Sequence, residues 1–156
     1  MKQRAPAVLL AVCAAVLLWA FWPRTLYQAL HASREEIASI SALVEPTQFP
    51  HDGHYTLLLT PEDPAFDQLL DLLGSKRYHP MTPGNLGRLL LLDDSVYLTF
   101  LVAAEADTYV VPGLYLTGDT RIQIGQRDYS VSGSEAFQQA VLDLLLAQEK
   151  EFVPND

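Results

Sequence analysis

The pattern of hydrophobic and polar positions separates a first uncharged stretch from a longer region of short alternating and helical patterns. Residues 5–22 are eighteen consecutive residues without a charge, preceded by Lys2 and Arg4 and followed by Pro23 and Arg24. As a helix this stretch extends over roughly 27 Å, the short end of what a bilayer core requires. The pattern predicts an N-terminal membrane anchor over residues 1–24.

Two other interpretations of this stretch place different demands on its residues. A cleaved signal peptide needs small residues soon after the apolar run, but residues 19–22 include bulky aromatic rings, and the best site, before Ser33, lies far downstream. A lipoprotein would use Cys13, but Val12 stands where a small residue is needed, and the apolar run continues past the cysteine. An uncleaved anchor is therefore favoured, with cleavage and lipidation kept as alternatives.

The flanking charges predict the orientation of the anchor. Lys2 and Arg4 precede the apolar run, whereas Arg24 stands alone just after it. Because cytoplasmic flanks carry the excess of positive charge, we expect the N-terminus in the cytoplasm and the rest of the chain outside the cell membrane. Trp19 and Trp22 would then lie at the outer interface, which favours aromatic rings.

The sequence after the anchor predicts a helical stalk over residues 25–36 and a domain over residues 37–148. Residues 149–156 form a polar tail that is expected to fray. Predicted strands cover residues 37–45, 54–60, 88–92, 96–103, 109–111, 114–117, 121–124 and 129–131, the first two as a hairpin.

Apolar residues at helical spacing predict two amphipathic helices. The first follows Asp63 as N-cap and ends at Gly74 in a left-handed conformation. The second begins at Ser132, which forms a capping box with Glu135.

Together these elements predict an α+β domain, an antiparallel sheet with both helices packed on one face, preceded by a single transmembrane helix. The order of the elements resembles that of small membrane-anchored extracytoplasmic proteins of Gram-positive bacteria, whose domains have no known function. The features that carry the resemblance are the anchor, the Ile37-x-x-Ile40 strand, the strand with Tyr55, the Asp-capped helix, and the Ile122-Gln-Ile124-Gly125 hairpin that leads into Tyr129 and the last helix. The resemblance implies no catalytic residues.

Composition narrows the possible partners. Residues 25–156 contain seven Lys and Arg against nineteen Asp and Glu, a formal charge of −12. This charge argues against nucleic acid, whose backbone needs clustered positive charge, and against anionic lipid headgroups as well. The single cysteine lies in the anchor, so the domain has no disulfide or thiolate metal site. No cofactor is expected.

Two of the seven Lys and Arg side chains of residues 25–156 are adjacent in one loop. Lys76, Arg77 and His79, with Arg88 further on, form a candidate surface for an anionic ligand or an acidic partner segment. The competing interpretation is that Lys76 and Arg77 only lie near the negative end of the preceding helix, which stabilises cations.

Two classes of function remain open. A non-enzymatic binding or accessory module at the membrane is favoured because the sequence has no nucleotide-binding, metalloprotease or serine-hydrolase motif. The alternative is a small metal-dependent or acid-base envelope hydrolase that uses His51, His54 or His79 with nearby carboxylates. His51, Asp52 and His54 are weak metal-ligand candidates, for which a surface Asp-Gly turn is the simpler interpretation.

Overall fold

The computed structural model describes residues 4–45, 53–82, 95–104, 107–116, 121–125 and 127–154, and these residues form four helices and eight strands. The helices are α1 Arg4–Ala20, α2 Leu26–Leu30, α3 Pro64–Gly74 and α4 Ser134–Leu146. The strands are β1 Ile37–Glu45, β2 Gly53–Leu59, β3 His79–Pro80, β4 Ser95–Ala104, β5 Asp107–Leu116, β6 Arg121–Ile124, β7 Arg127–Ser130 and β8 Glu151–Pro154.

Within the described residues the strands form one antiparallel sheet in the order β3-β7-β6-β5-β4-β1-β2-β8. The predicted hairpin of the first two strands is confirmed, with Ile40 opposite Leu59 and Val44 opposite Tyr55. The predicted α+β class with an antiparallel sheet is therefore correct.

The hydrophobic core lies on one face of this sheet. On β1, Ile40, Ala42 and Val44 are buried while Ser41 between them is exposed, because successive side chains of a strand point to opposite faces. The strands β2, β4 and β6 continue the same buried face. Helices α3 and α4 contact each other and bury their apolar stripes in the same core, as predicted. The core residues of these two helices are Ala65, Phe66, Leu69, Leu70, Leu73, Phe137, Val141, Leu142 and Leu145.

The uncharged N-terminal stretch forms α1, which has 17 residues. A backbone hydrogen bond of 3.1 Å from the Phe21 N–H to the Leu17 carbonyl extends the helical pattern by one residue. Among the described residues, none of the helices has the length and apolar character needed to cross a membrane.

The segment predicted as a helical stalk forms a shorter helix that belongs to the domain core. Only Leu26–Leu30 is helical, and Leu26 and Leu30 are buried with the sheet residues. Thr25 and Gln28 form a capping box at its start, and His31 ends it in a left-handed conformation. The helix stops after one turn because its apolar residues pack inward and the chain must turn into β1.

The ends of α3 and α4 differ from the predictions. Asp63 is the N-cap of α3, as predicted, but its carboxylate accepts hydrogen bonds from the backbone and hydroxyl of Thr60 and makes no bond to the helix. Gly74 is the last residue of α3 and is not left-handed, since the chain leaves through Ser75 in a right-handed conformation. The predicted capping box of the last helix is wrong, because Gly133 is the N-cap, at φ 66°, and its carbonyl accepts the first helical hydrogen bond.

The predicted strands 109–111 and 114–117 lie, as far as Leu116, in one continuous strand, β5. Between the pairs Phe100–Val111 and Leu98–Leu114, β5 has one residue more than β4. This β-bulge accommodates Pro112 and Gly113 without ending the strand. The predicted strand 88–92 lies outside the described residues.

The polar tail that was expected to fray is instead β8 at one edge of the sheet. It pairs with β2, where Tyr55 lies opposite Phe152 with their rings edge to face at 5.5 Å. Lys150 places its ammonium 5.4 Å from the centre of the Tyr55 ring. The tail was mispredicted because four residues of an edge strand carry too few apolar side chains to show a pattern.

Gly53 determines how closely β8 approaches β2. Its φ of 152° is unfavourable for other residues, and a Cβ atom there would lie 2.3 Å from the Val153 carbonyl oxygen and 2.6 Å from the Phe152 ring. We expect Gly53→Ala to displace β8 and lower the free energy of unfolding by about 1–3 kcal/mol. Limited proteolysis should cleave near residue 150 faster in this variant.

Gly74→Ala is the matched control, because a Cβ atom there makes ordinary contacts at 3.5 Å with Tyr27 inside a helix. Equal protease resistance of Gly53→Ala and the unmodified chain would contradict the tight packing of β8.

The hydrogen bonds that Thr60 donates to the Asp63 carboxylate also predict a dependence of stability on pH. The Thr60 backbone N–H and then its hydroxyl hold the pKa of Asp63 below its ordinary value of 3.8. Since the pKa is depressed in the folded chain, this contribution to stability is present above the unfolded pKa and is lost as the pH falls through the folded one. Thr60→Val removes the hydroxyl alone and should raise the Asp63 pKa, as measured by NMR titration of the carboxyl carbon. An unchanged titration curve would contradict the hydroxyl bond.

Candidate functional site

The cationic loop predicted from the sequence connects α3 to the sheet and alternates in exposure. Lys76 is half-buried, Arg77 exposed, Tyr78 buried and His79 exposed. This alternation follows from the extended backbone that leads into β3, since successive side chains of extended chain point to opposite sides. Arg77 and His79 therefore face away from the core.

Tyr78 fixes the loop to the core. Its side chain is fully buried, its hydroxyl donates to the Leu73 carbonyl at the end of α3 at 2.8 Å, and its ring meets Tyr129 edge to face with centres 6.2 Å apart. Burial raises the pKa of the Tyr78 hydroxyl far above its ordinary value, so it stays a neutral donor.

The loop is also joined to the residues that follow α1. The backbone N–H of Arg24 donates to the Tyr78 carbonyl, and the Tyr78 N–H donates to the Arg24 carbonyl, each at 2.9 Å. The Arg24 guanidinium in turn lies 5.8 Å from the centre of the Trp19 ring, a cation–π contact. The structure therefore adds Arg24 to the loop cations. A local sequence pattern gives no sign of such a pairing between distant residues.

The other predicted cations have distinct surroundings. The Lys76 ammonium lies 5.4 Å from the centre of the Phe137 ring on α4. Its backbone N–H donates to the Leu73 carbonyl at 3.4 Å, so the residue also lies at the negative end of α3, as the competing interpretation expected. His79 pairs with Ser130 of β7. Arg88 lies outside the described residues. Arg77 and His79 thus lie on one side of the extended segment, whereas Lys76 and Arg24 lie on the side of Tyr78.

The acidic side of α3 is partly neutralised close to this loop. Arg34 donates from Nη2 to Asp67 at 2.7 Å and from Nη1 to Asp71 at 2.5 Å. These two bonds raise the pKa of the Arg34 guanidinium. Asp71 lies one helical turn before Ser75, so the nearest carboxylates of α3 are already paired with a cation of the domain.

The weak metal-ligand candidates lie elsewhere. His51 and Asp52 are outside the described residues. His54 lies on β2, opposite Val153, on the face of the sheet away from the helices. No group of three His, Cys, Asp or Glu side chains within the described ranges is arranged to hold a metal ion.

His54 and His79 are on strands far apart in the sheet. Five strands lie between β2 and β3, which is six spacings of about 4.8 Å each along the sheet. The two imidazoles therefore cannot act on the same small substrate.

Comparisons of the chain with protein-family models, with curated proteins and with solved structures gave no match. A functional interpretation therefore rests on the chemistry and the surroundings of the residues themselves.

The role of Tyr78 predicts the effect of its removal. Tyr78→Phe keeps the ring contact with Tyr129 but leaves the buried Leu73 carbonyl without its hydroxyl donor, so unfolding free energy should fall by about 1 kcal/mol. Thermal or urea unfolding measures the change. Tyr55→Phe is the control, since its ring contacts with Phe152 and Lys150 are kept. An equal loss in both variants would contradict the special position of the Tyr78 hydroxyl.

Proposed function

We propose that this chain is a membrane-anchored, extracytoplasmic and non-enzymatic binding or accessory module, held at the cell membrane by α1. The observation that carries the proposal is the exposed apolar surface of α1. An extensive apolar surface without a protein partner is typical of a membrane or protein interaction site.

This apolar surface extends around the helix. Leu10 is 75% exposed, and Trp19 near the other end is 71% exposed. The apolar residues between and beside them that are also exposed are Val8, Leu9, Val12, Val16, Leu17 and Leu18. Every residue from Val8 to Trp19 is exposed, so the exposed positions cover all sides of the helix. They favour an apolar surrounding on every side over docking of one stripe against a domain.

The length of the helix sets a condition on this proposal. Helix α1 has 17 residues and extends over about 25 Å. An ordinary membrane-spanning helix is longer, with roughly 20 residues. Anchoring across a bilayer therefore requires Phe21 and Trp22 to lie in the apolar layer as well, or the bilayer to thin locally. The rings of Trp19 and Trp22 beside Arg24 match the composition of a membrane interface.

The proposed orientation rests on charge. Lys2 and Arg4 favour a cytoplasmic N-terminus, which places the α+β domain outside. The resemblance to anchored extracytoplasmic proteins is in keeping with this direction. The hydrolase alternative has no observation in its favour that is as specific as the exposed surface of α1.

The topology is tested with a chain that carries a C-terminal tag, treated with protease in intact and in lysed cells. We expect the tag to be removed from intact cells while the mature chain keeps its N-terminus. Protection of the tag in intact cells, or a mature chain shortened near residue 32, would contradict the orientation or the anchor.

A charge in the middle of α1 tests the anchor itself. Val12→Lys should shift the chain from the membrane fraction that resists alkaline extraction to the soluble fraction, since a lysine at a helix centre costs about 3 kcal/mol of insertion. Gln68→Lys, at an exposed position of α3, adds the same charge to the domain and should leave the distribution unchanged. Equal extraction of both variants would contradict membrane insertion of α1.

A further inference from the structure

We propose that the face of the sheet opposite the helices is a dimer interface, occupied by the same face of a second copy of this chain. The proposal goes beyond the proposed function, and it does not depend on whether α1 crosses a membrane. The surface that carries it lies on strands β1, β2 and β4.

The outer face consists of the side chains that alternate with the core residues of these three strands. On β4, Val96, Leu98 and Phe100 are buried, so Tyr97 and Thr99 between them point to the opposite side. The same alternation runs along β1 and β2. The outer-face residues of the three strands are Ser39, Ser41, Leu43, Thr56, Leu58, Tyr97, Thr99 and Leu101.

The strand register joins these residues into one surface. Ser41 of β1 lies between Leu58 of β2 and Thr99 of β4. Leu43 is opposite Tyr97 in the same way. Residues that are directly opposite on neighbouring strands have Cβ atoms about 5 Å apart, so their side chains are in contact. The outer face is therefore a continuous patch.

None of the described helices covers this patch. Helices α2, α3 and α4 bury their apolar residues in the core on the other side of the sheet, and α1 is exposed from Val8 to Trp19. Leu58 is 63% exposed, and Leu43 and Leu101 are half-buried. Apolar side chains thus lie on a surface against which no described helix packs.

The outer face differs from the rest of the domain in charge. Its eight residues include four apolar side chains and no charged one, whereas residues 25–156 carry a formal charge of −12. Glu45 and His54 lie beyond the patch, at one end of the strands. In physiological salt, charges more than about 8 Å apart are largely screened, so repulsion depends on the charges closest to a contact. Two copies therefore repel each other least when their outer faces meet.

The absence of charge on the patch favours a second copy over an unrelated protein. A charged surface that docked here would lose its hydration without gaining an opposite charge. A basic protein would instead be drawn to the acidic remainder of the domain. A second copy supplies an uncharged face of the same size, and a two-fold axis sets the patch against its own equivalent.

The size of the sheet meets the requirement of a stable dimer. Strands β1, β2, β4 and β5 have 9, 7, 10 and 10 residues, and shorter strands extend the sheet on both sides. At about 3.4 Å per residue along a strand and 4.8 Å between strands, the whole face covers about 800 Å². Each partner in a standard protein interface buries about 800 Å². The contact would therefore use most of the sheet face, with the two sheets about 10 Å apart.

Cross-linking of the full-length chain in detergent micelles tests which face is in contact. Cys13 is the only cysteine, so Cys13→Ser with Ser41→Cys places one thiol on the outer face. A bis-maleimide should then join two chains. Cys13→Ser with Gln68→Cys is the matched control, since Gln68 is an exposed residue of α3 on the other side of the domain. The control should remain a single chain.

A charge in the middle of the outer face tests the energetics of the contact. Thr99 lies on β4, one of the two central strands of the sheet, so a face-to-face contact buries it in both copies. Thr99→Lys would enclose two unpaired ammonium groups and should raise the Kd of the dimer at least about tenfold. Light scattering or sedimentation over a dilution series measures this Kd. Gln68→Lys makes the same change in net charge outside the contact and should leave the Kd unchanged.

Three results would overturn the inference. One is the mass of a single chain for the unmodified protein at every concentration, which would leave the outer face to a different partner. Another is an equal yield of cross-linked dimer from Ser41→Cys and Gln68→Cys. The third is an equal Kd for Thr99→Lys and Gln68→Lys, which would assign dimerisation to α1 or to another surface. None of these results contradicts the membrane anchor, which is tested by extraction and topology.

Discussion

The pairing of Arg24 with Tyr78 is the constraint on which the relation between α1 and the domain depends. Two backbone hydrogen bonds hold the chain just after α1 against a loop that follows α3. The pairing is firm because Tyr78 is buried and bonded to the last turn of α3. Without that burial, neither the end of α1 nor the cations beside Tyr78 would have a defined place on the domain.

The one-sided core explains why this junction lies where it does. Apolar residues alternate along the central strands, so a single face of the sheet needs a cover, and α3 and α4 supply most of it. The short helix α2 fills the remaining space near α3, with Leu26 and Leu30 buried. Because α2 begins directly after Arg24, its packing brings the preceding residues to the same end of the domain as the loop after α3.

The predictions from the sequence were most accurate where one side-chain pattern repeats over several residues. The stripes of α3 and α4 and the alternation in β1 were recognised because burial on one side imposes a period. Features set by a single contact were missed. The Asp63 carboxylate bonds back to Thr60 and not forward to α3, and Gly133 replaces Ser132 as N-cap. Both choices depend on the direction in which the chain enters the helix.

The candidate site was predicted in part for the same reason. Lys76, Arg77 and His79 are close in sequence, so their grouping was visible. Arg24 belongs beside them only because of a backbone pairing between distant residues, and backbone hydrogen bonds leave no mark on residue type. His54 could not be joined to His79, since sheet order, which alternating patterns do not specify, separates β2 from β3.

The position of β8 has a consequence for how the chain folds. The outer edge of β2 is covered by a strand that follows it only after α3, the five strands of the sheet on the other side of β1, and α4. During synthesis the β1–β2 hairpin therefore has bare N–H and C=O groups along one side for most of the time the chain is being made. Such an edge is a template for pairing with another chain. The short strand β8 is made last and covers this edge. Until β8 pairs with β2, the exposed edge of β2 is available for pairing with neighbouring nascent chains.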